Sequence, residues 1–253
     1  MRIISAVALS LLLAACGTTS TTPSATPHPS AGAGASVSPS ANPSVSVEGC
    51  VPECLPEGGS QPGPLPAGPY TAQYFFDGAL TITLDAGWVG LDDTQNEIIF
   101  EHTAPPDWLV FVWVDPYPVE HLTRVTGVDR TPEALVESLQ SNPTLIVTPG
   151  PTVIVANGIP AVTVDLEVSD AATREDPECP DICTNYLGFE NGPPAHGLVR
   201  GAKTRIYFAP VTYGGQDHLL TMSVEVIDGT QFDAVLPIAE NLLRTIRMPV
   251  APA

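Results

Sequence analysis

Apolar and polar residues begin to alternate only well into the chain, from about Gly68. Tyr70 to Phe76 is aromatic and reads as a strand, and Asp77-Gly78 is a hairpin signal. Leu80, Ile82 and Leu84 then alternate with Thr81 and Thr83, giving one buried and one wet face. Glu97 to His102 and Leu109 to Val114 are further strands. The second, Leu-Val-Phe-Val-Trp-Val, is apolar at every position, which places it centrally in a sheet covered on both faces. Thr131-Pro132-Glu133 carries the marks of a helix start: a hydroxyl cap, proline at the first helical position and an acid near the positive end. Leu135 and Leu139 share a face of that short helix. Thr152 to Ala156, Asn157-Gly158 and Ala161 to Val168 form a hairpin with Val162, Val164, Leu166 and Val168 on one face. Thr163, Asp165 and Glu167 take the other. A second hairpin joins Lys203 to Phe208 with His218 to Val226 around Gly214-Gly215, with Leu220, Met222, Val224 and Val226 facing inward.

The chain closes on an amphipathic stretch from about Gln231 to Met248. Phe232, Val235, Ala239, Leu242 and Ile246 recur at helical spacing, widened by Leu236 and Leu243. Thr230 and Asp233 resemble a capping box, and Arg244 and Arg247 suit the negative C-terminal end. Pro237 inside this pattern should kink the helix or push its start later. Between the two hairpins, Ser169 to Arg200 shows no periodicity and is expected to be a long loop, a length that points to a functional or cross-linked segment. The elements make one α+β domain, residues 68–250, a mainly antiparallel sheet covered by helices.

The N-terminal part is of another kind. Arg2 precedes an apolar run, Ile3 to Leu13, of signal-peptide length and too short to span a bilayer. Leu13-Ala14-Ala15-Cys16 resembles the lipobox of bacterial lipoprotein precursors. That resemblance implies a leader over residues 1–15 and acyl chains on Cys16. Several chains on one residue hold a protein at a membrane, at about 0.8 kcal/mol per buried methylene. An ordinary secretory signal with a chance cysteine is the alternative. Residues 16–67 are mostly Ser, Thr, Pro, Ala and Gly. They cannot bury enough surface to offset chain entropy and are expected to form a disordered stalk. The location implied is the extracytoplasmic face of the cell membrane, with the membrane a partner through the lipid.

Charge narrows the partners. The chain has 9 basic and 28 acidic side chains and a net charge of −19. No Lys or Arg falls between Arg2 and Arg124. Such a surface repels phosphate backbones, so nucleic acid is excluded as a partner. An envelope protein or a small molecule remains.

With Cys16 assigned to lipid, Cys50, Cys54, Cys179 and Cys183 remain. An even count in an exported chain points to disulfides. Crosswise pairing between the two Cys-x-x-x-Cys segments is expected, because closing a long loop is worth about 4 kcal/mol and a local ring far less. Local pairing within each segment is the alternative. A four-cysteine zinc site is a further reading, disfavoured by Glu48, Glu53, Glu178 and Asp181, which oppose thiolate formation. Asp170, Glu175, Asp176, Glu178 and Asp181 make a possible cation-binding edge, without the spacing of a calcium-binding loop. No metal or other cofactor is expected.

The order of parts resembles the PsbP-like α/β/α sandwich, in particular lipid-anchored LpqN-type and related actinobacterial and Chloroflexi-type lipoproteins. The residues that carry it are Tyr70, Phe75, Phe76, Gly87, Trp88, Gly158 and the closing helix. The resemblance implies a non-catalytic assembly factor, adaptor or binding module, and supplies no catalytic motif. The sequence itself shows no Gly-x-Ser-x-Gly, His-Glu-x-x-His, phosphate-binding Gly-Lys-Ser/Thr or dinucleotide fingerprint. His102 and His218 fall in strand patterns and read as surface or packing residues. His121, after Glu120 and near Tyr117, is a candidate cleft residue. Trp88, Trp108 and Trp113 read as core or rim aromatics, with carbohydrate stacking an option for Trp108. Three function classes follow: a non-catalytic binding or adaptor module, an enzyme acting on envelope material, and a cation-binding surface protein.

Overall fold

The computed structural model describes residues 53–55, 64–78, 80–174, 181–190 and 196–248. The leader, Cys16, nearly all of the stalk, Cys50 and Cys179 lie outside the described residues. In chain order the first strands are β1 (Glu53–Cys54), β2 (Gly68–Thr71), β3 (Thr81–Leu84), β4 (Trp88–Asp93) and β5 (Glu97–His102). Then come β6 (Trp108–Val114), β7 (Pro116–Glu120), β8 (Thr123–Arg124), helix α1 (Pro132–Ser141) and β9 (Leu145–Pro149). The rest are β10 (Val153–Val155), β11 (Ile159–Val168), β12 (Cys183–Phe189), β13 (His196–Val199), β14 (Lys203–Tyr213), β15 (Gln216–Val226) and α2 (Phe232–Thr245).

The main sheet has eight strands in the order β10-β11-β14-β15-β6-β5-β4, with β9 also paired to β11. Every pairing in it is antiparallel. β6 lies between β15 and β5, the central place its unbroken apolar sequence predicts. Alternation along β6 divides the core in two. Trp108, Val110 and Val112 enter one cluster, and Phe111 and Trp113 enter the other. Over the first face lie α2 and a small sheet, β1-β2-β3. Over the second lie α1 and another small sheet, β13-β12-β7-β8. The chain is therefore α+β and mainly antiparallel, but its outer layers are each a helix plus a sheet rather than helices alone.

Both predicted hairpins form. Asn157 and Gly158 adopt φ of 53° and 80° in the turn between β10 and β11. The Asn157 side chain also binds both the N–H and the C=O of Met248, tying that turn to the residues after α2. Gly214 and Gly215 close the β14–β15 hairpin at φ of 59° and 77°, the left-handed pair such a two-residue turn requires. α1 begins as predicted, with Thr131 Oγ1 accepting from the Ala134 N–H and Pro132 at the first position.

Five expectations are corrected. Tyr70 to Phe76 is strand only as far as Thr71, and Phe75–Gly78 is a 3-10 turn. Ser169 to Arg200 is not one long loop, since it holds β12 and β13. β12 is buried at all seven positions, polar Thr184 and Asn185 included, so it has no alternation to betray it. α2 runs Phe232–Thr245, shorter than the expected Gln231 to Met248, and passes through Pro237 without interruption. Pro237 therefore forgoes one helical hydrogen bond, while Val235, Leu236 and Ala239 around it stay packed in the core. The capping box also fails. Asp228, not Thr230, takes the N-terminal N–H, within a 3-10 turn Gly229–Gln231 that leads into the helix. Finally, Trp108 opens β6 and is fully buried, so it cannot stack on a carbohydrate.

Candidate functional site

A concavity lies at one end of the main sheet, where several turns meet. Each turn contributes one or two side chains, and the sheet behind fixes their positions. β6 ends at Val114, and the next residue, Asp115, sits at φ of 50°. Its backbone N–H donates to the Leu219 carbonyl at 3.0 Å, and its carboxylate accepts the Leu219 N–H at 2.8 Å. The other carboxylate oxygen accepts from His218 Nδ1, also at 2.8 Å. A carboxylate only accepts, so the proton of that bond is on Nδ1 and Nε2 is left facing away from Asp115.

Arg130, just before the α1 cap, spans two carboxylates. Its guanidinium lies 3.7 Å from Asp115 and 2.9 Å from Glu190, which follows β12. Arg124 reaches the same Glu190 oxygen at 2.7 Å and lies over the Tyr117 ring. The aromatic wall comes from the 3-10 turn and from the end of β14. Phe76 meets Tyr213 edge to face at 4.8 Å and His218 at 5.9 Å. Tyr213 donates its hydroxyl to the Phe76 carbonyl at 3.1 Å, which holds that ring in place. Tyr74, with amides from Gln95, Asn96 and Gln216, completes a cleft of about 460 Å³. Asp115, Arg130 and His218 also line an adjoining hollow of about 450 Å³ beside the start of α1. The combination of aromatic faces with a few converging donors and acceptors is that of a small-molecule site.

Two other polar groupings are structural. Under the second small sheet, Trp113 donates to Glu97 at 2.7 Å, and His196 meets Glu225 at 2.9 Å amid Phe111, Trp113 and Tyr186. Burial pushes the Glu97 carboxyl above its ordinary value, against the opposing pull of the Trp113 N–H and His196. On the α2 side, Arg205 grips Asp165 through two bonds, at 2.6 and 2.8 Å, and nears Glu240 at 3.5 Å. Asp165 is thus on the face opposite Val164 and Leu166, as predicted, and its role is to seat Arg205 beneath α2. Asp93 is likewise raised by burial, although the Gln73 and Phe75 N–H groups bond to it.

The predicted site residues are placed as follows. Cys54 ends β1 and Cys183 opens β12, and both are half-cystines. Cys16, Cys50 and Cys179 lie outside the described residues. Of the acidic edge, Glu175, Asp176 and Glu178 also lie outside them. Among the described residues no three His, Cys, Asp or Glu side chains cluster as a metal site. His121 is exposed on the turn after β7 and does not line the cleft. His102 stacks on buried Trp108 at 5.4 Å, a packing role. His218, read as surface or packing, instead belongs to the cleft. Sequence reasoning missed Asp115, Arg130, Glu190, Tyr74 and Gln216. Two weak signals existed: the strand-breaking Asp115-Pro116, and Tyr213 and Gln216 flanking the glycine turn.

No protein-family model matches the chain, and no curated relative matches it by sequence. Solved structures similar to it include cyanobacterial PsbP (CyanoP) from Synechocystis sp. PCC 6803. That match has a TM-score of 0.39 and 12% identity, over 76% of this chain and 96% of that one. Another is LpqN of Mycobacterium tuberculosis, involved in cell envelope biogenesis. Its TM-score is 0.36 at 11% identity, covering 74% and 90% of the two chains. A third is the Saccharomyces cerevisiae Ran-binding protein Mog1p. It gives a TM-score of 0.37 at 14% identity, covering 69% and 92%. At these identities nothing about what the present chain binds follows from them.

Proposed function

We propose that this chain is a membrane-anchored, exported lipoprotein whose folded domain is a non-catalytic binding or adaptor module at the cell envelope. The cleft around Asp115, Arg130 and His218 is where it takes its ligand. The lipobox-like Leu13-Ala14-Ala15-Cys16 and the stalk support anchoring. The cleft carries the binding reading: its walls mix aromatic rings with charged and amide groups at the open end of a rigid sheet. Four cysteines joined as two disulfides, crosswise between Cys50, Cys54, Cys179 and Cys183, fit the oxidising side of the membrane.

One observation bears on the enzyme reading, the His218–Asp115 pair. The hydroxyls around it are engaged elsewhere. Thr131 Oγ1 caps α1, and Thr212 Oγ1 bonds Asp217 at 3.0 Å. Tyr213 bonds the Phe76 carbonyl, and Tyr74 accepts from Gln73. Thr212 and Tyr213 thus donate their hydroxyl protons to partners other than His218, which favours a binding role for the pair.

The test has two parts. The chain should fractionate with membranes and carry fatty acid at its N-terminal cysteine, and Cys16→Ser should release it. The detergent-solubilised chain should bind isolated envelope material saturably, and Arg130→Ser should weaken that binding about tenfold or more. Envelope binding that is indifferent to Arg130→Ser would remove the cleft from the reading.

A further inference from the structure

We infer that the ligand of the cleft is an uncharged saccharide, docked with one ring face on Tyr74 and Tyr213 and its hydroxyls on the amides and the Asp115–Arg130–Glu190 bridge. This rests on the proposed binding role and names the ligand class. Each charged group in the cleft already has a counter-charge: Arg130 lies between Asp115 and Glu190, and Arg124 adds to Glu190. A phosphate or carboxylate would have to displace an internal carboxylate to win a guanidinium. A cation would have to displace an arginine to win a carboxylate. Arg124, Arg130 and Glu190 are each nearly half exposed, so either exchange trades one weak, solvent-screened pair for another.

An apolar ligand fits no better. It would cover the exposed Gln95 and Gln216 amides and the charged bridge without replacing their water, which disfavours it. A sugar ring meets both demands at once. Its C–H face is apolar and packs on an aromatic ring, and each hydroxyl both donates and accepts. Side-chain amides and a paired carboxylate and guanidinium are what neighbouring hydroxyls need, because they offer donors and acceptors side by side. The aromatic wall is already fixed: the Tyr213 hydroxyl is held by the Phe76 carbonyl, and Phe76 is itself packed against Phe75 at 5.0 Å. Little side-chain entropy is then lost at Tyr213 on binding. The cleft's volume, about 460 Å³, suits one to two sugar rings, and the adjoining hollow along Thr131 and Thr212 would continue the path for a longer chain.

The experiment is titration calorimetry on the full chain in detergent, with amide shifts followed by NMR. The probes are maltotriose, cellotriose, the β-1,4 trimer of N-acetylglucosamine, inorganic phosphate and calcium. At least one trisaccharide should bind saturably, with shifts at Gly214, Gly215 and Gln216. Tyr74→Ala, at a half-buried position, and Gln216→Ala, at an exposed one, should each weaken it about tenfold, which is about 1.4 kcal/mol. Two outcomes overturn the inference: no trisaccharide binding at millimolar concentration, or binding unchanged in both variants. Phosphate or calcium binding that shifts the same amides would also overturn it, in favour of a charged ligand. If Arg130→Ser still weakens envelope binding when every sugar fails, only the ligand class falls. If that effect is absent too, the binding role falls with it.

Discussion

Glu97 shows how one buried group leaves a mark on the whole stability curve. Its side chain accepts from Trp113 and faces His196 on β13, with Asp92 the nearby like charge. Burial is the largest influence and raises its folded-state pKa above the ordinary 4.5. A carboxyl raised in this way holds its proton more tightly in the folded chain than in the unfolded one. Its contribution is therefore most favourable below about pH 4.5 and is lost as pH rises through the folded value. Asp93 acts in the same direction. Glu97→Gln keeps an oxygen for Trp113 and removes the titration. The variant should gain melting temperature relative to the parent at neutral pH and lose that advantage in acid. Thermal unfolding at a series of pH values checks this, and a constant difference across the series would refute it.

At the scale of elements, the entry to α2 depends on a close approach as well as on the Asp228 side chain. A Cβ on Gly229 would stand 2.8 Å from the Gly201 carbonyl oxygen, which also accepts the Gly229 N–H at 2.9 Å. Gly229→Ala should therefore cost about 1–3 kcal/mol, read as a fall in the urea midpoint with unchanged slope. Glycine here shows only as a gap in a sequence pattern, and the predicted capping box drew attention to Thr230 instead. Besides the apolar β6 and the capped α1, the legible elements were those with one wet face or a left-handed turn: β10–β11 with Asn157-Gly158, and β14–β15 with Gly214-Gly215. β12 was hidden because its buried run mixes polar Thr184 and Asn185 with apolar residues, unlike the unbroken apolar β6, and β7 because Pro116 and Pro118 read as loop. The same limit applies to the cleft. Asp115 follows β6, Arg130 precedes α1, Glu190 follows β12 and Tyr74 precedes the 3-10 turn, so these residues come from elements of different layers and no spacing in the sequence marks them as neighbours.

On the scale of the whole molecule, the two outer layers share no strand. β1 belongs to the layer with α2, and β12 to the layer with α1, with the main sheet between them. Cys54 and Cys183 are the half-cystines of those two layers. Crosswise bonds to Cys50 and Cys179 would hold the layers to one another around the sheet, closing loops of more than a hundred residues. Local bonds would only round off each four-residue spacing. The two arrangements differ in the unfolded chain far more than in the folded one. Long closures remove about 4–5 kcal/mol of denatured-state entropy on the chain-entropy model, while local rings remove much less. Reduction should then lower the unfolding free energy of the chain by several kcal/mol, and Cys54→Ser with Cys183→Ser should match it. Peptide mapping under non-reducing conditions gives an independent reading, since crosswise bonds join peptides from the two ends of the domain. A stability unmoved by reduction, with each Cys-x-x-x-Cys segment recovered as its own closed peptide, would leave the layers held by the packing of the main sheet alone.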